Sequence, residues 1–148
     1  MHRTERLVRV MKDITIDEAA KRELVQAAIK AAGNAYAPYS GYRVGAALLC
    51  GSGDVYTGCN VENAAYPCGI CAERTAAAKA VSEGNRGFRM IAVVGSSAEK
   101  CTPCGMCRQV LYEFAPDMTV LCADNSGEYD EVKLSDLLIR GFGASSLK

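Results

Sequence analysis

Cys71-Ala72-Glu73-Arg74-Thr75-Ala76-Ala77-Ala78-Lys79-Ala80-Val81-Ser82-Glu83-Gly84 is followed closely by Met90-Ile91-Ala92-Val93-Val94-Gly95. The first run reads as a helix from near Cys71 to Glu83 that stops before Gly84, and the second as a short buried strand. Working outward, a loop ends at Pro103, a helix starts near Cys104 and runs to Phe114, and Thr119 to Ala123 is another strand. On the other side, Val44 to Cys50 and Val55 to Gly58 read as a hairpin across the turn Gly51-Ser52-Gly53-Asp54. Strand–helix–strand units imply parallel pairing with right-handed crossovers. The expected fold class is α/β, three layers in the order α/β/α, with a mixed five-stranded sheet and helices on both faces.

The ends of the chain complete this order. Thr15 and Glu18 form a T-x-x-E capping box, which predicts a helix from Ile16 to about Ala32 with Gly33 as its stop. Ala20, Leu24, Ala27, Ala28 and Ala31 share its expected buried face. Cys59 to Gly69 reads as a long loop, Asn125-Ser126-Gly127 as a turn, Tyr129 to Lys133 as a last strand, and Ser135 as the cap of a short helix through Leu138. Residues 1–148 are expected to form one domain, with 1–14 a loose N-terminal extension.

Composition narrows the function. Seventeen basic and 17 acidic residues cancel, and no basic stripe interleaved with aromatics is present to hold a polynucleotide. The start, Met1 to Lys12, lacks the apolar core of a secretion signal, and no apolar run is long enough to cross a membrane. The expected setting is a reduced cytoplasm, where eight close-spaced cysteines point to metal or catalysis rather than disulfides.

Cys71-Ala72-Glu73 and Pro103-Cys104-Gly105-Met106-Cys107 both sit where a helix is expected to begin. Unpaired backbone N–H groups and a positive local field favour the thiolate there, the form that binds metal. The Cys-x-x-Cys pair can aim two sulfurs at one point, where a third from a neighbouring helix start can meet them. Three thiolates leave a tetrahedral zinc with one open position, at which water is acidified. Glu73, two residues past Cys71, can stand beside the metal without ligating it and carry a proton to a leaving group. Cys-Ala-Glu followed about thirty residues later by Pro-Cys-x-x-Cys resembles the three-cysteine form of the signature known from zinc deaminases.

A closed structural zinc is the competing arrangement. Cys68-x-x-Cys71 with Cys104-x-x-Cys107 makes two such pairs, and Cys101-x-x-Cys104 is a similar decoy. Cys50, Cys59 and Cys122 are expected to be buried as small apolar residues. Arg74 can offset the negative charge of three thiolates from behind the metal ligands. Arg108 is expected to be solvated.

The chain resembles the small homotetrameric zinc-dependent cytidine deaminases. The stretches that carry the resemblance are Tyr36-Ala37-Pro38-Tyr39-Ser40, Val44-Gly45-Ala46-Ala47-Leu48-Leu49, Gly58-Cys59-Asn60-Val61-Glu62-Asn63-Ala64-Ala65-Tyr66, Cys71-Ala72-Glu73-Arg74-Thr75-Ala76, Lys79-Ala80-Val81-Ser82-Glu83-Gly84 and Pro103-Cys104-Gly105-Met106-Cys107-Arg108-Gln109-Val110. The resemblance implies hydrolytic deamination of cytidine and 2′-deoxycytidine with release of ammonia, as in pyrimidine salvage, and one zinc per subunit. It assigns Asn60 and Glu62 to the sugar hydroxyls and the Ala72 backbone to the base. Tyr42 stands where the family usually has a phenylalanine packed on the base. Phe142, Ala64 and Tyr66 match positions that close or line pockets across subunit interfaces, which implies a homotetramer with shared pockets.

Two other functions compete. One is deamination of an aminonucleoside such as blasticidin S, whose deaminases share the three-cysteine pattern; the sugar-clasping pair Asn60 and Glu62 favours ordinary nucleosides. Deaminases of nucleotides or nucleic acid usually offer histidine as the first ligand, whereas the sole histidine here is His2, far from the motif. The other is a non-enzymatic zinc module, which requires a fourth cysteine and leaves Glu73 without a role.

Overall fold

Strand β1 (Val44–Cys50) sends alternate residues into two different cores: Ala46, Leu48 and Cys50 to one side, Ala47 and Leu49 to the other. Strand β3 (Phe88–Gly95) does the same, with Ile91 and Val93 opposed to Met90, Ala92 and Val94. Strand β4 (Thr119–Ala123) divides Val120 and Cys122 from Leu121 and Ala123. Strands that are apolar on both faces must be covered on both. The computed structural model, which describes residues 16–148, supplies that cover. Helix α1 (Glu18–Ala32) packs on one face through Leu24, Val25 and Ala28. Helices α2 (Ala72–Ser82), α3 (Gly105–Phe114) and the short α4 (Leu134–Leu137) pack on the other, through Ala72, Ala76, Ala77, Ala80, Leu111 and Leu134.

The edge strands are β2 (Val55–Cys59) and β5 (Tyr129–Lys133), and the sheet order is β2-β1-β3-β4-β5. β3 and β4 are parallel, with Met90 opposite Thr119 and Val94 opposite Ala123, while the other neighbours are antiparallel. This is the expected mixed five-stranded sheet in three layers. Helix α2 lies directly on β2 because Gly58 has no side chain. A Cβ there would stand 2.4 Å from the Ala72 carbonyl oxygen and 2.6 Å from the Ala76 nitrogen.

Several local expectations are corrected. α1 begins at Glu18, and its cap is Asp17, whose carboxylate accepts from the Ala20 N–H at 2.8 Å. Glu18 accepts from the Tyr129 hydroxyl. Thr15 and the expected extension 1–14 lie outside the described residues. Val25, rather than Ala20, belongs to the buried stripe; Ala20 borders a cleft between α1 and the end of β1. β2 runs on to Cys59 and β3 starts at Phe88, because pairing with β1 extends to Gly45–Cys59 and Cys50–Phe88. Ser135 lies inside α4, which starts without a side-chain cap. Cys50 and Cys122 are buried as expected, but Cys59 is half-buried at the sheet edge.

Candidate active site

Two helix starts meet at the carboxyl end of the parallel pair. Cys71 is the residue that caps α2 and Cys104 the one that caps α3; both have extended backbone and neither makes a side-chain capping bond, which leaves the sulfurs available. Cys107 follows in the first turn of α3 and is fully buried. The three Sγ atoms lie within 4.8 Å of one another, and Cys71 and Cys104 are 3.8 Å apart. Zinc–sulfur bonds of about 2.3 Å at tetrahedral angles require sulfurs about 3.8 Å apart, so the residues fit a zinc ion. Cys68, exposed in the 3-10 turn Tyr66–Cys68, and Cys101 do not join this cluster.

Glu73 stands on the first turn of α2, only 3% exposed, and its Oε2 accepts from the Cys107 thiol at 3.7 Å. Its pKa is raised to about 7, chiefly by burial and in smaller part by the negative charge at Cys71. The Cys71 thiol is drawn down to about 5, first by the hydrogen bond from Cys107 and then by the Arg74 guanidinium and Cys104. The Cys107 thiol moves upward because it donates to Cys71 and is buried. Arg74 Nη2 reaches Cys71 Sγ at 3.8 Å, and its Nε is buried with no hydrogen-bond partner among the described residues. A cation spending its solvation this way belongs beside a cluster of negative sulfurs. Arg108, expected in solvent, instead donates to the Pro103 carbonyl at 2.7 Å and the Leu137 carbonyl at 2.8 Å, tying the start of α3 to α4.

The segment from Tyr36 to Val44 crosses beside this site and is sewn to residues 60–62. The Tyr36 N–H donates to the Asn60 carbonyl, and the Glu62 N–H to the Tyr36 carbonyl. The Asn60 side chain accepts from the Val44 N–H and donates to the Tyr42 carbonyl, each at 2.8 Å. Glu62 accepts from the Tyr39 N–H, the Ser40 N–H and the Ser40 hydroxyl. Val61 pairs with Ile70, next to Cys71, so the 60–62 segment is anchored to the start of α2. Glu62, Ser40, Tyr39, Asn63, Tyr66 and Gly69 line a cleft of about 350 Å³.

The remaining residues sit as follows. Ala72 is buried at the start of α2. Tyr42 carries its hydroxyl where a Cβ on Gly95 would be, within 1.8 Å of that position, and against Cys101 and Ser97. Ala64, Tyr66 and Phe142 are all exposed, Tyr66 by 76% and Phe142 by 59%. The tail holding Phe142 is fixed to α3: Gln109 donates to the Phe142 carbonyl at 2.8 Å, and the Tyr112 ring packs on Gly141 and Gly143. Sequence reasoning passed over Ser40 and Gly95. A serine beside a turn and a glycine ending a strand carry no chemistry of their own, and each matters here through a neighbour distant in the chain.

Comparison with known proteins agrees with this geometry. The family described as "Cytidine and deoxycytidylate deaminase zinc-binding region" matches residues 18–123. A cytidine deaminase of Sporosarcina psychrophila is 44% identical over 126 residues, covering 84% of this chain and 93% of its own. A blasticidin-S deaminase of Bacillus cereus is more distant, 30% identical over 105 residues, covering 66% of this chain and 74% of its own. The crystal structure of a cytidine deaminase from Burkholderia pseudomallei superposes with a TM-score of 0.78 at 45% identity, covering 81% of this chain and 97% of that one. Sharing both the sequence signature and the fold, the chain belongs to the cytidine deaminase family.

Proposed function

We propose that this enzyme hydrolyses cytidine and 2′-deoxycytidine to uridine and 2′-deoxyuridine with release of ammonia. The observation that carries the reading is the buried Glu73 carboxyl set against three thiols that converge from two helix starts. Cys71, Cys104 and Cys107 hold one zinc per subunit, which supplies Lewis acidity when bound. Glu73 takes a proton from the attacking water as the C4–O bond forms and passes it to N3, then moves the remaining proton of that oxygen to the amine, so that the C4–N bond breaks, ammonia leaves and C4 keeps a carbonyl oxygen. Burial of the carboxyl favours its protonated form, which suits a group that must hold a proton and give it up again. Arg74 offsets the thiolate charge. Asn60 and Glu62 hold the sugar, the Ala72 backbone meets the base, and Tyr42 lies beside it.

The exposed Phe142 and Tyr66, with the exposed Ala64 two residues before Tyr66, support a homotetramer whose pockets are completed by neighbouring subunits, since large apolar side chains left in solvent suit an interface. The setting we assign is cytoplasmic pyrimidine salvage; among the described residues no helix is long and apolar enough to cross a membrane. The test is direct. Purified protein should consume cytidine with matching release of ammonia, and Glu73→Gln should slow both by orders of magnitude. Protein that deaminates blasticidin S and leaves cytidine intact would overturn the assignment.

A further inference from the structure

The Glu62 carboxylate is less free than its assignment to the sugar suggests. A carboxylate offers about four lone-pair directions. Oε1 uses two, accepting from the Tyr39 N–H at 2.9 Å and the Ser40 N–H at 3.1 Å. Oε2 uses one, accepting from the Ser40 hydroxyl at 2.5 Å. One direction on Oε2 remains for a ligand. The Ser40 hydroxyl is itself oriented, because its oxygen accepts from the Tyr42 N–H at 3.0 Å. With that N–H aimed at one lone pair, the hydroxyl proton is directed at Glu62. Ser40 thus links a residue assigned to the sugar with one assigned to the base.

From this chain of contacts we infer that Ser40 is a positioning residue for nucleoside recognition: it turns the Glu62 carboxylate so that its last acceptor direction meets a sugar hydroxyl. The inference rests on the sugar-binding role proposed for Glu62. Ser40 touches no reacting atom, so it acts on substrate affinity and leaves the chemical step alone. The Glu62 carboxyl is held below the ordinary range, chiefly by the Ser40 hydroxyl, which agrees with a charged acceptor fixed in place. Both residues lie on the wall of the cleft described above, which opens beside the start of α2.

The experiment measures steady-state cytidine turnover for the zinc-loaded wild type and for Ser40→Ala, Ser40→Thr, Glu62→Ala and Ser40→Ala/Glu62→Ala. Loss of one hydrogen bond to a charged group predicts a KM for cytidine raised about tenfold in Ser40→Ala, with kcat unchanged. Ser40→Thr, which keeps the hydroxyl, should recover most of the loss. In the Glu62→Ala background, Ser40→Ala should add nothing, as two residues acting as one unit require. Inhibition by 2′,3′-dideoxycytidine, which has no sugar hydroxyl at those carbons, should be equal in wild type and Ser40→Ala. A fall in kcat, an additive double mutant, or an equal loss for the dideoxynucleoside would overturn the inference and reduce Ser40 to a loop support. Should Ser40→Ala fail to fold, a KM for Ser40→Thr as poor as that of Glu62→Ala would overturn it as well. A wild type inactive on cytidine would instead overturn the proposed function.

Discussion

Gly58→Ala tests whether the contact between α2 and β2 sets the metal geometry. The new methyl group would stand 2.4 Å from the Ala72 carbonyl oxygen, 2.6 Å from the Ala76 nitrogen and 2.9 Å from the Thr75 Cβ. All three belong to the start and second turn of α2, and two are backbone atoms that no rotamer change can move. To restore an ordinary separation of 3.4 Å, the helix must retreat by about 1 Å. Cys71 immediately precedes Ala72 and moves with it, while Cys104 and Cys107 stay on α3. Metal sites tolerate errors of about 0.2 Å in ligand distance, so a shift of this size should weaken zinc roughly 10- to 100-fold. Overpacking of this kind costs about 1–3 kcal/mol, or roughly 3–10 °C in Tm for a chain of this length. Zinc content after dialysis, thermal unfolding and cytidine turnover should fall together, and added zinc should recover part of the turnover. Gly87→Ala is the control, since no atom lies within 4 Å of its Cβ position. A Gly58→Ala protein with full zinc, unchanged Tm and normal kcat would refute the reasoning.

Four further outcomes are expected. Glu73→Gln should keep its zinc and lose roughly 10²–10⁴-fold in kcat, the usual worth of a positioned proton carrier; near-normal turnover would remove Glu73 from the mechanism. In zinc-free protein, the Glu73 carboxyl has a pKa raised from 4.5 to about 7, so the folded state binds the proton more tightly than the unfolded chain. Its contribution is therefore present below about pH 4.5 and is lost as the pH rises to 7, a change on the order of 3 kcal/mol that Glu73→Gln should remove from urea titrations. Cys71→Ser should empty the metal site and Cys68→Ser should leave it full, by metal analysis; equal dependence on both would restore the closed four-cysteine site. Dissociating and reassociating Glu73→Ala with an inactive Phe142→Ala should return part of the activity, because a hybrid can join an intact Glu73 in one subunit to an intact Phe142 from another. Full activity in Phe142→Ala alone, or no recovery after verified mixing, would exclude a lid supplied in trans.

Much of the fold was legible because its signals are local. Apolar runs such as Val44–Cys50 and Thr119–Ala123 have the length of strands rather than helices, and Gly33 and Gly84 follow the helices they end. The differences fall where a contact distant in the chain decides between two local readings. Asp17 and Thr15 can each cap α1, and the bond between Glu18 and Tyr129, residues far apart in the chain, goes with the choice of Asp17. Arg108 reads as solvent-exposed beside Cys107 until α4 brings the Leu137 carbonyl within 2.8 Å.

The same division holds at the site. The sequence alone determined the chemical types at the candidate site, three thiols and a carboxyl, because Cys71, Cys104, Cys107 and Glu73 are tied to helix starts by spacing of a few residues, and a helix start has the same field and unpaired N–H groups in any protein. Which cysteines converge was decided only by the tertiary structure. Cys68 is as close to Cys71 in the chain as Cys107 is to Cys104, yet it is exposed in a 3-10 turn outside the cluster, while the packing of α2 and α3 on one sheet face brings Cys71 and Cys104 to 3.8 Å. The occupancy of Glu62 by the loop at Ser40 is likewise invisible in one dimension: hydrogen bonds between residues 22 positions apart exist only after β1 and β2 have paired and fixed the segments that carry them.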